Sequence, residues 1–198
     1  RLDTANTLTL DSDYTLSVNG SNLIYGTIDT NGNNVTLAAD ADGIGEGYNY
    51  LYGSSVINAG SNDVTFTGDR VYAYGGNTLN TTSGNINVDT TYLFGYNGSD
   101  LSSTSGNINI NSGTFYDYGA NIDAGGGTRT FNTSNYYAYK DLTSTQLDTI
   151  LADFTNPLNN FRLDTANTLT LDSDYTLSDN GSNLLYGTIV PNGNDVTL

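Results

Sequence analysis

Apolar residues recur along this chain as short apolar–polar–apolar alternations. Leu8-Thr9-Leu10, Val35-Thr36-Leu37, Val64-Thr65-Phe66, Ile86-Asn87-Val88 and Ile108-Asn109-Ile110 share the pattern. Arg129-Thr130-Phe131 is a degenerate copy, and Leu169-Thr170-Leu171 restarts the series. Alternation with period two predicts half-buried strands. Successive triplets are spaced by 27, 29, 22, 22, 21 and 40 residues. A basic period of about 22 residues with insertions accounts for these spacings.

Two further apolar columns follow the triplets in register. Six and eight positions after each triplet stand Tyr72/Tyr74, Phe94/Tyr96, Tyr116/Tyr118 and Tyr137/Tyr139. A seven-residue insertion brings in Tyr50/Tyr52, and Leu16/Val18 fill the places in the first coil. A last column holds Leu23, Ile57, Leu79, Leu101, Ile122 and Leu142. Three strand-like segments per period, joined by Gly, Asn and Ser, describe a parallel β-solenoid. One coil is too small to bury a core, so each must stack on the next at about 4.8 Å.

A longer repeat encloses the short one. Residues 1–37 return as residues 162–198, identical except at Val18/Asp179, Ile24/Leu185, Asp29/Val190, Thr30/Pro191 and Asn34/Asp195. The chain therefore reads as one 161-residue unit plus the start of the next, a window onto a tandem array. The expected organisation is six coils over residues 1–143, a helical insertion and linker over 144–161, and a new unit from 162. Leu147, Ile150, Leu151 and Phe154 lie on one face of a helix, which the pattern places at roughly 145–155. Thr145 with Asp148 supplies a capping box, and Asn156-Pro157 a stop.

Composition narrows the chemistry. The chain has no Cys and no His, so a disulfide framework, a zinc site on those ligands and a Ser–His–Asp triad are excluded. Five basic against 21 acidic residues give a net charge of −16. That balance argues against nucleic acid and anionic lipid as partners. No apolar run approaches the roughly 20 residues that span a membrane. The acidity is almost all Asp, with Glu46 the single Glu, among abundant Asn, Gly, Ser and Thr. Such a composition suits a bacterial surface or extracellular protein.

Ser83-Gly84-Asn85-Ile86-Asn87-Val88 and Ser105-Gly106-Asn107-Ile108-Asn109-Ile110 resemble the coil repeats of large secreted bacterial β-helix proteins. That family comprises adhesins of the filamentous haemagglutinin and autotransporter-passenger types. The resemblance implies a right-handed β-helix displayed outside the cell as a stalk or fibre, with neighbouring repeats as partners.

Four sets of residues are candidate sites. The aromatic columns Tyr50, Tyr52, Tyr72, Tyr74, Phe94, Tyr96, Tyr116, Tyr118, Tyr137 and Tyr139 suit a stacked core, a surface strip that binds glycans or another fibre, or an axial path for charge. Parity points the first column inward, because Leu16 lies between Thr15 and Ser17. Thr9, Thr36, Thr65, Asn87, Asn109 and Thr130 face outward, as polar ladders or as an array that orders water or ice. Asp40, Asp42 and Glu46 occupy a Gly-rich insertion whose oxygens suit Ca²⁺ or simply solvent, and Asp11-Ser12-Asp13 is a weaker case. Sequons at Asn19, Asn34, Asn80, Asn97, Asn132 and Asn180 offer glycan sites. No acid pair stands beside Lys140, Arg70 or Arg129 in a motif that suits polysaccharide cleavage, so no catalytic residue is assigned. The expected function is a structural repeat of an extracellular filament. The alternative is an adhesin stalk that uses its Tyr or Thr/Asn face.

Overall fold

The computed structural model describes residues 1–44, 46–177 and 181–197. The Val18/Asp179 difference and the sequon at Asn180 lie outside the described residues. The chain is a parallel β-solenoid of about eight turns, with one short helix among the described residues. Long strands Val64–Ala73, Ile86–Tyr96, Ile108–Tyr118 and Arg129–Ala138 pair in order and carry two faces each. A second sheet, from Thr7–Thr9 through Thr27–Asp29, Val56–Gly60, Thr78–Thr81 and Asp100–Ser103 to Asn121–Asp123, forms the third face.

Parallel pairing puts like side chains on top of one another. Leu16, Leu37, Phe66, Val88, Ile110 and Phe131 make one inner column. Leu8, Ile28, Ile57, Leu79, Leu101 and Ile122 make another. Val71, Leu93, Phe115, Tyr136 and Phe161 fill a third. Apart from Leu101, these residues belong to one continuous core cluster or, as with Leu8, Leu16 and Ile122, pack against it. Each buried side chain adds roughly 1.5–3 kcal/mol of transfer free energy, and none could be buried by a lone coil.

Counting turns corrects the sequence reading. One column runs Leu2, Ile24, Leu51, Ala73, Gly95, Asp117, Ala138, Leu163 and Leu185. Its steps are 22, 27, 22, 22, 22, 21, 25 and 22 residues. Leu163 is Leu2 one repeat later, so seven coils, not six, make the 161-residue unit. The uncounted coil is the one that carries the helix, where Phe154 pairs with Phe131; the first coil is misplaced as well. Leu8 pairs with Ile28 on the third face, and the true partner of Val35-Thr36-Leu37 is Tyr14-Thr15-Leu16. Leu16 and Val18 are therefore not in the Tyr columns, where Leu23 pairs with Tyr50. Alternation looks alike on every face, so it does not say which face a strand belongs to.

The helix spans Ser144–Leu151, shorter than expected. Its capping box is Thr143 with Gln146: the Gln146 N–H donates to Thr143 Oγ1 at 3.1 Å, and the Thr143 N–H to Gln146 Oε1 at 2.9 Å. The helix ends at a cap on Ala152, ahead of Asn156-Pro157. It does not interrupt the solenoid. Leu147 is fully buried, Phe154 lies over Phe131, and Asn160–Leu163 pairs directly with residues 135–138. The helix thus replaces a corner within a 25-residue coil. No helix among the described residues is long and apolar enough to cross a membrane.

The Ser-Gly-Asn motif makes the corner before the triplet. Gly84, Gly106 and Gly127 stack so closely that a Cβ on any of them would overlap the carbonyl of the coil beneath. Ser103 Oγ accepts the Gly106 N–H at 2.8 Å and donates to the Gly84 carbonyl at 3.2 Å. Gly106→Ala is therefore expected to cost about 2 kcal/mol or more by overpacking, read as a lower midpoint in urea unfolding with an unchanged slope.

Candidate functional site

The most unusual surface is the Tyr face. The strands place Val71, Leu93, Phe115 and Tyr136 inward, so the neighbours Tyr72, Phe94, Tyr116 and Tyr137 point outward. Both aromatic columns are half-buried surface ladders, and the inward orientation inferred from Leu16 is wrong. The inner positions here include small or polar residues, Ala73, Gly95, Asp117 and Ala138. Leu16 itself is inward, but it pairs with Leu37 in another column, so its parity does not carry over to the rings.

In the first column Tyr50, Tyr72, Phe94 and Tyr116 stack at 4.8, 4.5 and 4.5 Å between ring centroids. Tyr137 then turns edge-on to Tyr116 at 5.2 Å. The second column is unbroken: Tyr25, Tyr52, Tyr74, Tyr96, Tyr118 and Tyr139 stack at 4.3, 5.1, 4.8, 4.7 and 4.4 Å. The spacing is that of the paired backbones beneath. Each stacked pair adds about 0.5–1.5 kcal/mol beyond area burial. Tyr25 was missed in the sequence, although Leu23-Ile24-Tyr25 has the same spacing as Tyr50-Leu51-Tyr52.

Cations punctuate the face. The Arg70 guanidinium lies 5.0 Å from the Tyr48 ring and 5.4 Å from Tyr92, with Asp69 at 3.0 Å and Glu46 at 3.4 Å. Arg162 stands 5.4 Å from the Tyr139 ring and 5.1 Å from Tyr186, and bonds Asp164 at 2.8 Å. Ring faces along the stacked runs cover one another, so the surface offers phenol edges and hydroxyls. A sugar that stacks on an aromatic face finds no free face within these runs.

The Thr/Asn face is a set of hydrogen-bonded ladders. Thr36, Thr65, Asn87, Asn109 and Thr130 are in register. Asn109 donates to Asn87 Oδ1 at 2.9 Å, and Asn87 to Thr65 Oγ1 at 3.5 Å. Thr9 belongs elsewhere, opposite Asp29 on the third face, and Thr15 takes its place. A second ladder at the corner ties side chain to backbone: Asn107 Oδ1 accepts the Thr128 N–H at 3.0 Å, and Asn85 Oδ1 accepts the Asn107 N–H at 3.0 Å. The sequon residues Asn34, Asn80 and Asn132 spend their amides in such contacts.

The acidic insertion does not gather into a cation site. Among the described residues no group of three or more carboxylates is placed to hold a metal ion. Asp42 accepts the Ile44 N–H at 3.3 Å, Glu46 turns to Arg70, and desolvation with the charge of Asp42 raises the Asp40 carboxyl. Every basic residue has a carboxylate partner, including Arg1 with Asp3, Arg129 with Asp153 and Lys140 with Asp117.

Desolvation, then repulsion between neighbouring phenolates, raises Tyr50, Tyr74, Tyr96 and Tyr116 above the ordinary phenol value. Desolvation and the Tyr25 contact push Tyr52 up to about 12, and desolvation with Tyr139 does the same for Tyr118. A phenol raised on folding contributes stability below its unfolded pKa near 10 and loses it as pH rises through the folded value. The solenoid is expected to hold its melting temperature up to about pH 10 and to lose it steeply toward pH 12. Ultraviolet phenolate titration should show a late-ionising class of tyrosines that normalises when the chain unfolds. Comparison with protein-family models, curated proteins and solved structures gives no match to this chain.

Proposed function

We propose that this chain is a structural repeat of a long fibre outside the cell or on its surface, in which units follow one another coil on coil. One observation carries the reading: the same stretch of sequence occurs twice, and the opening residues of its second copy pack on partners that the opening residues of the first copy lack. Tyr14 is 46% exposed, whereas its counterpart Tyr175 is 6% exposed, with the charge of Asp148 on the helix beside it. Asp172 accepts the Ser144 hydroxyl and, at 3.1 Å, the Thr145 N–H at the start of the helix, whereas Asp11, equally exposed, has no helix before it among the described residues to bond. Gly20 has open space where a Cβ would go, whereas a Cβ on Gly181 would overlap the carbonyl of Asn159. Arg1 lies over Tyr25 alone, whereas Arg162 lies between Tyr139 and Tyr186.

Residues 1–37 therefore carry requirements that a preceding unit would impose. The helix supports the same reading, because its contacts reach forward onto the next unit. The acidic surface favours solubility and keeps fibres apart. An enzyme reading has no support in the paired basic residues, none of which stands beside a free acid pair. The second reading, a stalk that binds a partner, draws on the outward phenol edges of the Tyr face.

Hydrogen bonds from Ser144 and Thr145 hold the Asp172 carboxyl down to about 2. The junction contact is thus present above about pH 4 and lost as pH falls toward 2. Asp172→Ala should lower the melting temperature by several degrees, whereas Asp11→Ala should leave it unchanged. Equal effects would count against the junction. The fibre itself is tested on producing cells. An antibody to this chain should label thin fibres on unpermeabilised cells, and the denatured polymer should carry many repeats per chain. Labelling confined to the interior would reject the reading.

A further inference from the structure

Asp117 departs from the pattern of its inner column, where its register partners are Gly95 and Ala138. It is only 3% exposed. Lys140, the chain's single lysine, enters from the corner one coil on and places Nζ 2.6 Å from Asp117 Oδ2. Tyr136, fully buried, donates its hydroxyl to the same oxygen at 2.7 Å. The Gly119 N–H donates to Oδ1 at 2.8 Å. Asp117 and Lys140 border a cavity of about 50 Å³ whose apolar walls are Phe115, Ala120, Ile122, Phe131 and Ile150. Arg129 also reaches this cavity, but its guanidinium is engaged by Asp153 at 2.8 Å and the Ile122 carbonyl at 3.0 Å.

The contact sets the Lys140 nitrogen against the Asp117 carboxyl group, and the reacting form of the pair is the one in which a proton has passed from Lys140 to Asp117 across it. We propose that Asp117 and Lys140 condense to an intramolecular amide that links adjacent coils. Lys140 Nζ attacks Asp117 Cγ, and the carbonyl electron pair moves to Oδ1, where the Gly119 N–H stabilises the negative charge. The Tyr136 hydroxyl gives its proton to Oδ2 and takes one from Nζ, so that Tyr136 is restored. The Cγ–Oδ2 bond breaks and Oδ2 leaves as water. Carboxylate plus ammonium become amide plus one water, with no oxidant or reductant. Burial and the charge of Asp117 raise the Tyr136 phenol well above its ordinary value, so it is a proton donor before the reaction.

The link would serve a fibre, because it fastens one coil to the next just ahead of the helix. It does not depend on the fibre reading, since a covalent bond within one chain is detectable in any setting. The test is the intact mass of the full 198-residue chain, folded, incubated and then denatured. The expected mass is below the sequence mass by one water, about 18 Da. Fragmentation should yield a branched peptide joining the segments around Asp117 and Lys140. Lys140→Arg keeps the charge but offers no amine and should restore the sequence mass. Tyr136→Phe should slow the appearance of the lighter species at least about tenfold. A wild-type chain that stays at the sequence mass after long incubation overturns the proposal. So does a water loss that persists in Lys140→Arg, which would place it at another residue.

Discussion

Backbone pairing between successive coils is the constraint on which everything else in this molecule depends. Each coil is an open edge until the next one covers it. Parallel pairing fixes the separation at about 4.8 Å and sets residue over equivalent residue. The columns follow from that. Ile86 lies over Ile108 and Asn87 over Asn109, because the register leaves them no other neighbour. The core is therefore a set of lines running along the axis, each extended by every added coil.

The same constraint explains the outer surface. Stacked at strand spacing, asparagine amides reach one another and the next backbone N–H, and tyrosine rings meet face to face. A large aromatic face thereby becomes compatible with solvent, because most of each ring is covered by its neighbours and only edges remain wet. Close stacking also has a cost in sequence freedom. Where coils turn tightly, the carbonyl of one coil occupies the space a Cβ on the next would need, and glycine recurs at Gly84, Gly106 and Gly127.

Much of this was legible in the sequence, and the failures have physical causes. The 161-residue repeat, the three segments per coil and the alignment of Tyr72, Phe94, Tyr116 and Tyr137 are direct consequences of pairing in register. The first coil was misplaced because Leu8-Thr9-Leu10 and Tyr14-Thr15-Leu16 alternate alike while lying on different faces. The count of coils failed at the helix, where the triplet pattern lapses although pairing continues through Asn160–Leu163. The first Tyr column was turned inward because Leu16 was placed in it, whereas Leu16 pairs with Leu37 and Leu23 holds that place. In a thin solenoid, Ala73 and Gly95 hold inner places that a larger ring would overfill. No pattern marked Asp117 and Lys140 as partners, since they are 23 positions apart and meet only through coil stacking.

Continuity across the repeat boundary is the central claim, and cryo-electron microscopy of a chain of three or more tandem repeats tests it most directly. Seven rungs per repeat at about 4.8 Å predict an axial repeat near 34 Å, with rungs uninterrupted through residues 144–161. A longer axial repeat, or a bend and a gap in the rungs near Asn156-Pro157, would contradict the account.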